Sequence, residues 1–376
     1  MKRLLCFGFL VITVLALAAC GSTGGMPDGD QLPPGDGITV VDDAGYTVEL
    51  PARIDRIVVA DILPIPSVLA VFFNSADKIV GIPEGSMTAA KNSLFGELYP
   101  EILNAETGFA QNGDINLEEL LKLDPDLVIC STLNPAVGDK LRNAGFTTVA
   151  ISPNKSGYDC IETLQDWLEL LGQIFPDNDK TAIVTAKNAE IYDLVQSRIK
   201  DLPQEDRARI FFLYKYTDTS IMTSGEKFFG QWWADTSGAI NVAREMKAEN
   251  ANEVNLEQIY AWNPDMIFIS NFTTAMPDDL YNNTFGAYDW SGISAVADKK
   301  VFKMPLGIYR SYTPGVDSPV TMLWFAKTIY PELFDDIDLY QETKDYYAEV
   351  FNVTLTDKQA KSIFEPDRDA SEGFTK

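Results

Sequence analysis

Tyr309-Arg310-Ser311-Tyr312 lies on a short connection with Gly307 before it and Pro314-Gly315 after it. A guanidinium presents paired donors to a carboxylate or another oxyanion, and phenols add rigid apolar area with a polar tip. Tyr214, Lys215, Tyr216 and Phe272 follow apolar runs in the same half of the chain, and Trp232, Trp233 and Trp290 are close by in sequence. Together they describe a pocket for a bulky, oxygen-rich small molecule, although core packing accounts equally well for each tryptophan. The chain has no histidine. Ser-His and Cys-His nucleophile pairs are therefore excluded, as are metal sites built on imidazole. Carboxylate, thiolate, tyrosinate and methionine remain as direct ligands, and any metal is expected to be handled already chelated, with no resident cofactor.

These residues need a large folded body to position them. The chain has 376 residues, 46% of them apolar, enough for two ordinary domains and too apolar for disorder. Its net charge is −25, from 30 basic and 55 acidic residues. A nucleic acid partner is disfavoured, because phosphate binding needs a basic surface. Of the four cysteines, Cys130 and Cys160 fall in the body. One disulfide between them is open, but two small buried thiols is the preferred reading.

Lys2 and Arg3 precede an uncharged run from Leu4 to Ala19. The run is shorter than the roughly 20 residues that span a bilayer, and a basic start, apolar middle and small end describe a secretory signal over residues 1–20. Cys20, directly after Leu17-Ala18-Ala19, resembles a bacterial lipoprotein processing site whose thiol is lipidated. Residues 21–37, rich in Gly, Pro, Asp and Ser, read as a flexible tether. A body anchored outside the cell membrane is expected.

The body repeats itself. Asn116-Leu117-Glu118 through Pro125-Asp126 is echoed by Asn255-Leu256-Glu257 through Pro264-Asp265. Each copy reads as a short helix, a Pro-Asp turn and a buried strand. Strands are expected at 56–60 and 209–213 before the copies, and at 147–151 and 300–304 after them. Strands alternating with helices argue for an α/β fold of two Rossmann-like lobes with mostly parallel sheets. The lobes are placed at 38–178 and 204–356. Between them, residues 179–203 carry one long helix with apolar spacing and no internal Gly or Pro, a rigid joint with the ligand cleft between the lobes. A polar tail, 357–376, is expected to be peripheral.

Parallel sheets bind ligands beyond the carboxyl ends of their strands. The loops there supply the candidate ligand set: Leu63, Thr132 and Asn134 from the first lobe, and Tyr214, Tyr216, Trp232, Phe272, Tyr309, Arg310 and Tyr312 from the second.

The whole pattern resembles the substrate-binding proteins of ABC importers for ferric siderophores, cobalamin and haem. Carrying the resemblance are the leader, Arg53-Ile54-Asp55-Arg56-Ile57-Val58, Lys78-Ile79-Val80-Gly81, the two Asn-Leu-Glu to Pro-Asp segments, Thr223-Ser224-Gly225, and Leu323-Trp324-Phe325-Ala326-Lys327 to Tyr330-Pro331-Glu332. The resemblance implies a monomeric receptor with modest closure, delivering a metal chelate to an ABC permease and its ATPase. It also implies one permease-docking glutamate per lobe. Glu101 or Glu106 suits the first. The second lobe reads Ser237-Gly238-Ala239-Ile240-Asn241 where relatives often have Gly-Gly-Xaa-Asn, so Glu245 or Glu249 is sought nearby. A ferric siderophore or similar chelate leads, with a corrinoid or haem as alternatives in the same class. A sensory binding protein and a secreted hydrolase using two carboxylates are the competing classes. No local motif isolates an acid for the latter.

Overall fold

The computed structural model describes residues 37–371 except 112. Cys20, the signal and most of the tether lie outside the described residues. Two four-stranded parallel sheets dominate. The first runs in the spatial order Ile79–Gly81, Ile57–Val59, Leu127–Ser131, Thr148–Ile151, and the second Ile240–Asn241, Arg209–Leu213, Met266–Ile269, Val301–Lys303. In both, the second strand in sequence lies outside the first and the third and fourth follow on its other side. The expected duplication is therefore present in the topology. A smaller antiparallel sheet of Lys215–Tyr216, Ile221–Ser224 and Ala251–Val254 adjoins the second.

The repeated residues explain why both halves fold alike. Asn116 caps the helix Leu117–Lys122 by accepting N–H bonds from Glu118 and Glu119, and Asn255 caps Leu256–Trp262 through Gln258 in a capping box. Asp126 then accepts the N–H groups of Asp55 and Arg56, while Asp265 accepts that of Arg209. Each acid so pins the start of its lobe's first strand. The strands are largely buried, and alternate residues enter opposite layers: Ile57, Val59 and Ile129 face one core, Val58, Val128 and Cys130 another. Both faces are covered, as a parallel sheet requires.

Between the sheets the chain forms the helix Cys160–Ile174 and then a longer one, Thr181–Ile199, of 19 residues, about 28 Å long. Val184, Ile191, Val195 and Ile199 are buried and belong to a continuous apolar cluster that also holds Ile57 of the first sheet and Phe212 and Phe268 of the second. Arg198 is ion-paired to Asp336 and donates to the Leu333 carbonyl at 2.8 Å. Cys130 and Cys160 are both free and buried. Among the described residues no helix is long and apolar enough to cross a membrane.

The segment after Asp357 differs from the peripheral tail expected of its composition. Thr356 caps a helix, Asp357–Phe364, and Ile363 and Ala370 are fully buried. The Ile363 carbonyl accepts the Leu306 N–H at 2.8 Å. A few apolar residues at helical spacing suffice to dock an otherwise polar segment.

Candidate functional site

The topological switch point of each sheet lies between its first and third strands, where successive connections leave in opposite directions. At the first, Asp61 follows Ile57–Val59 and its Oδ1 accepts the Ser131 N–H at 2.7 Å. At the second, the Ser270 hydroxyl donates to the Tyr214 carbonyl at 2.5 Å and accepts the Phe272 N–H at 3.0 Å. Both switch points open on one cavity of about 310 Å³. Asp61, Ile62, Leu63 and Pro64 line it with Ser131, Leu133, Pro153 and Trp167 from the first half; Tyr214, Phe228, Phe229, Asn250 and Ala251 with Phe272, Tyr309, Thr313 and Pro314 complete it from the second. A larger, more polar groove of about 490 Å³ lies between Lys91–Glu97 and the segment Ser362–Asp369, with Leu306 also in its lining.

The walls are aromatic and mutually braced. Tyr214 meets Phe228 edge-on at 5.0 Å, Phe272 at 5.4 Å, and stacks on Tyr312 at 5.2 Å. Trp167 donates from Nε1 to the Ser152 carbonyl at 2.8 Å, fixing the loop that carries Pro153. The buried Lys303 ammonium donates to the carbonyls of Ser270, Thr273 and Ala275 at 2.6–2.9 Å, which sets the curvature of the Phe272 loop. Tyr309 is held from behind. Asp317 accepts the Ile308 N–H at 2.7 Å and the Tyr309 N–H at 3.5 Å, and also the Tyr347 hydroxyl. Gly307 is required there, since a Cβ would lie 2.5 Å from Asp317 Oδ2.

Burial dominates the electrostatics. It pushes Asp61 up to about 6 against the opposing pull of the Ser131 N–H. It likewise raises Asp317 to about 6, with the Tyr347 hydroxyl and two N–H groups pulling down. Lys303 and Arg310 are both lowered by desolvation. Among the described residues no cluster of three or more His, Cys, Asp or Glu side chains could hold a metal ion.

Of the sequence candidates, Leu63, Tyr214, Phe272 and Tyr309 line the cavity. The others are elsewhere. Arg310 is only 1% exposed; it lies behind Phe272 and Tyr309, donating to the carbonyls of Gly85 at 2.9 Å and Ala370 at 2.7 Å. Tyr312 forms the layer beneath Tyr214, its hydroxyl donating to Ser224 Oγ at 2.9 Å. Tyr216 belongs to a separate core, donating to the Phe285 carbonyl and receiving the Trp290 Nε1–H. Trp232 packs on Trp233 at 4.6 Å. Thr132 and Asn134 flank Leu133 without lining the cavity, Asn134 preceding the helix Pro135–Asn143. Asp61, Ser131, Leu133 and Pro153 lay in loops already marked by the strand ends. Phe228 and Phe229 follow Thr223-Ser224-Gly225. Trp167, inside an amphipathic helix, carried no signal.

Glu101 and Glu106 share a surface depression with Arg56, Asp77 and Asn104. Glu245 is 83% exposed beside Arg244, and Glu249 pairs with Lys227 at 3.3 Å.

Comparison with known proteins agrees with this architecture. The sequence profile of the family described as periplasmic binding protein matches residues 69–306. A periplasmic solute-binding protein of Veillonella parvula has a solved structure that superposes with a TM-score of 0.76 at 29% identity, over 87% of this chain and 96% of that one. The molybdate-binding protein MolA of Haemophilus influenzae is 25% identical over 84% of this chain and 91% of its own length. An iron-uptake system-binding protein of Bacillus subtilis is 22% identical over 58% of this chain and 67% of its own. With its paired parallel sheets and a cavity at both switch points, the chain belongs to the periplasmic binding protein family, the solute receptors that deliver small molecules to ABC permeases.

Proposed function

We propose that the chain is a lipid-anchored receptor that captures a ferric siderophore or a similar compact metal chelate and hands it to an ABC permease. The observation that carries this reading is the aromatic cavity shared by the two switch points. Its volume sits at the lower end of the roughly 300–1,000 Å³ typical of ligand sites, so a large siderophore would project from the mouth and a compact chelate would fit within. Cys20 supplies the anchor, and Glu101 or Glu106 with Glu245 or Glu249 the permease contacts. No enzymatic step is assigned. A corrinoid or haem fits the walls less well at this volume.

A second reading, a bare oxyanion, is favoured by the similarity to the molybdate-binding protein of Haemophilus influenzae. Against it, no Lys or Arg is among the described residues that line the cavity. Titration of tryptophan emission, to which Trp167 contributes from the cavity wall, separates the two. A panel of ferric trishydroxamate, ferric triscatecholate, a corrinoid, haemin and molybdate should give saturable quenching by a chelate and none by molybdate. Silence from every chelate, with binding of molybdate, would replace the first reading by the second.

A further inference from the structure

Among the described residues that line the cavity, Asp61 is the one carboxylate, set among mainly aromatic and aliphatic side chains, and none is basic. Among the described residues its carboxylate accepts one hydrogen bond, from the Ser131 N–H to Oδ1 at 2.7 Å, and forms no ion pair. Half-buried charge of this kind is costly unless something supplies a donor or a cation. Among the described residues no side chain in the cavity does so. We infer that Asp61 is a specificity-determining residue, which selects solutes whose inward face is cationic or carries N–H or O–H donors and rejects oxyanions and polyanionic chelates. This rests on the chelate reading above and narrows it to neutral and cationic complexes.

The discrimination is electrostatic. At an effective dielectric constant near 20, a unit charge about 5 Å from the carboxylate changes affinity by about two- to three-hundredfold. Two cations adjoin residues of the cavity wall, Arg310 and Lys215, and both are turned to other work. Arg310 binds main-chain carbonyls behind Tyr309, and Lys215 lies 5.8 Å from the Tyr214 ring centroid without lining the cavity. Burial raises Asp61 to about 6. The other titratable groups facing it hold one state from pH 5 to 7.5: Cys130 is pushed to about 12, and the phenols of Tyr214 and Tyr309 are raised further above their ordinary range.

Inert octahedral cobalt(III) chelates of similar size provide the test: the trication with three ethylenediamines, the neutral complex with three glycinates, and the trianion with three oxalates. At 0.15 M salt and pH 7.5 the wild-type chain should bind them in that order, with at least tenfold between trication and neutral complex. Asp61→Asn should remove that preference, whereas Glu257→Gln, at an exposed site in the helix Leu256–Trp262, should retain it. Trication affinity of the wild type should fall as pH drops from 7.5 to 5, and that of Asp61→Asn should not. An unchanged ratio in Asp61→Asn, a trianion bound as tightly as the trication, or no binding of the trication would each overturn the inference. If the chelate panel binds while the charge order is missing, this inference alone fails.

Discussion

Arg310 shows how far a residue's chemistry can be read before its neighbours are known. The guanidinium looked like an oxyanion grip because it sits between two tyrosines on a glycine- and proline-bounded connection. In the fold it ties the Gly85 and Ala370 carbonyls to the loop carrying Tyr309, so its paired donors serve the main chain. Arg310→Ala should therefore lower stability by about 2–4 kcal/mol, from lost charged hydrogen bonds and unpaired buried carbonyls, as read by urea denaturation. A large loss of ligand affinity with unchanged stability would return it to the site. Tyr214 and Tyr309 carry the same side chain as Tyr216 and Tyr312. Only the first pair reaches the cavity, because aromatic side chains are as well suited to a wall as to a core, and sequence spacing does not tell the two apart.

Elements were more legible than side chains. Strands expected at 56–60, 147–151, 209–213 and 300–304 form at Ile57–Val59, Thr148–Ile151, Arg209–Leu213 and Val301–Lys303, since a run of β-branched and aromatic residues bounded by turn formers leaves little choice. The duplicated Asn caps are the local signal behind the duplicated topology. Asn116→Ala and Asn255→Ala should each cost about 0.5–2 kcal/mol, and the double variant about their sum, because the two caps serve different sheets. Coupling well beyond that sum, measured in chemical denaturation, would mean that the two halves do not respond independently. The segment after Asp357 was the least legible element. Its packing depends on Ala360, Ile363 and Ala370 meeting surfaces far away in sequence.

At the scale of the whole molecule, burial of acids sets the response to pH. Asp61 and Asp317 have folded-state values of about 6 against 3.8 in the open chain, so the folded protein binds more protons than the unfolded chain between these limits. Stability must then rise as pH falls from 7 towards 4.5, by up to about 3 kcal/mol per group. Acids held below their ordinary range by partners, such as Asp279 beside Arg368 and Asp336 beside Arg198, lose their contribution only below about pH 4. Thermal unfolding across pH 4.5–7 should show the rise, and Asp317→Asn should flatten it. A melting temperature that drops steadily on acidification through that window would contradict the assignment.

The amino-acid order by itself determined a histidine-free chemistry, two lobes of parallel strands and most of the loops that line the cavity, because composition, apolar period and turn residues act over a few neighbours. Tertiary structure alone decided that Asp61, Trp167 and Phe228 face the cavity while Arg310, Tyr312 and Tyr216 stand behind it or apart from it. Those placements depend on which surfaces meet after the chain has doubled back, a long-range matter of packing that no short window of sequence encodes.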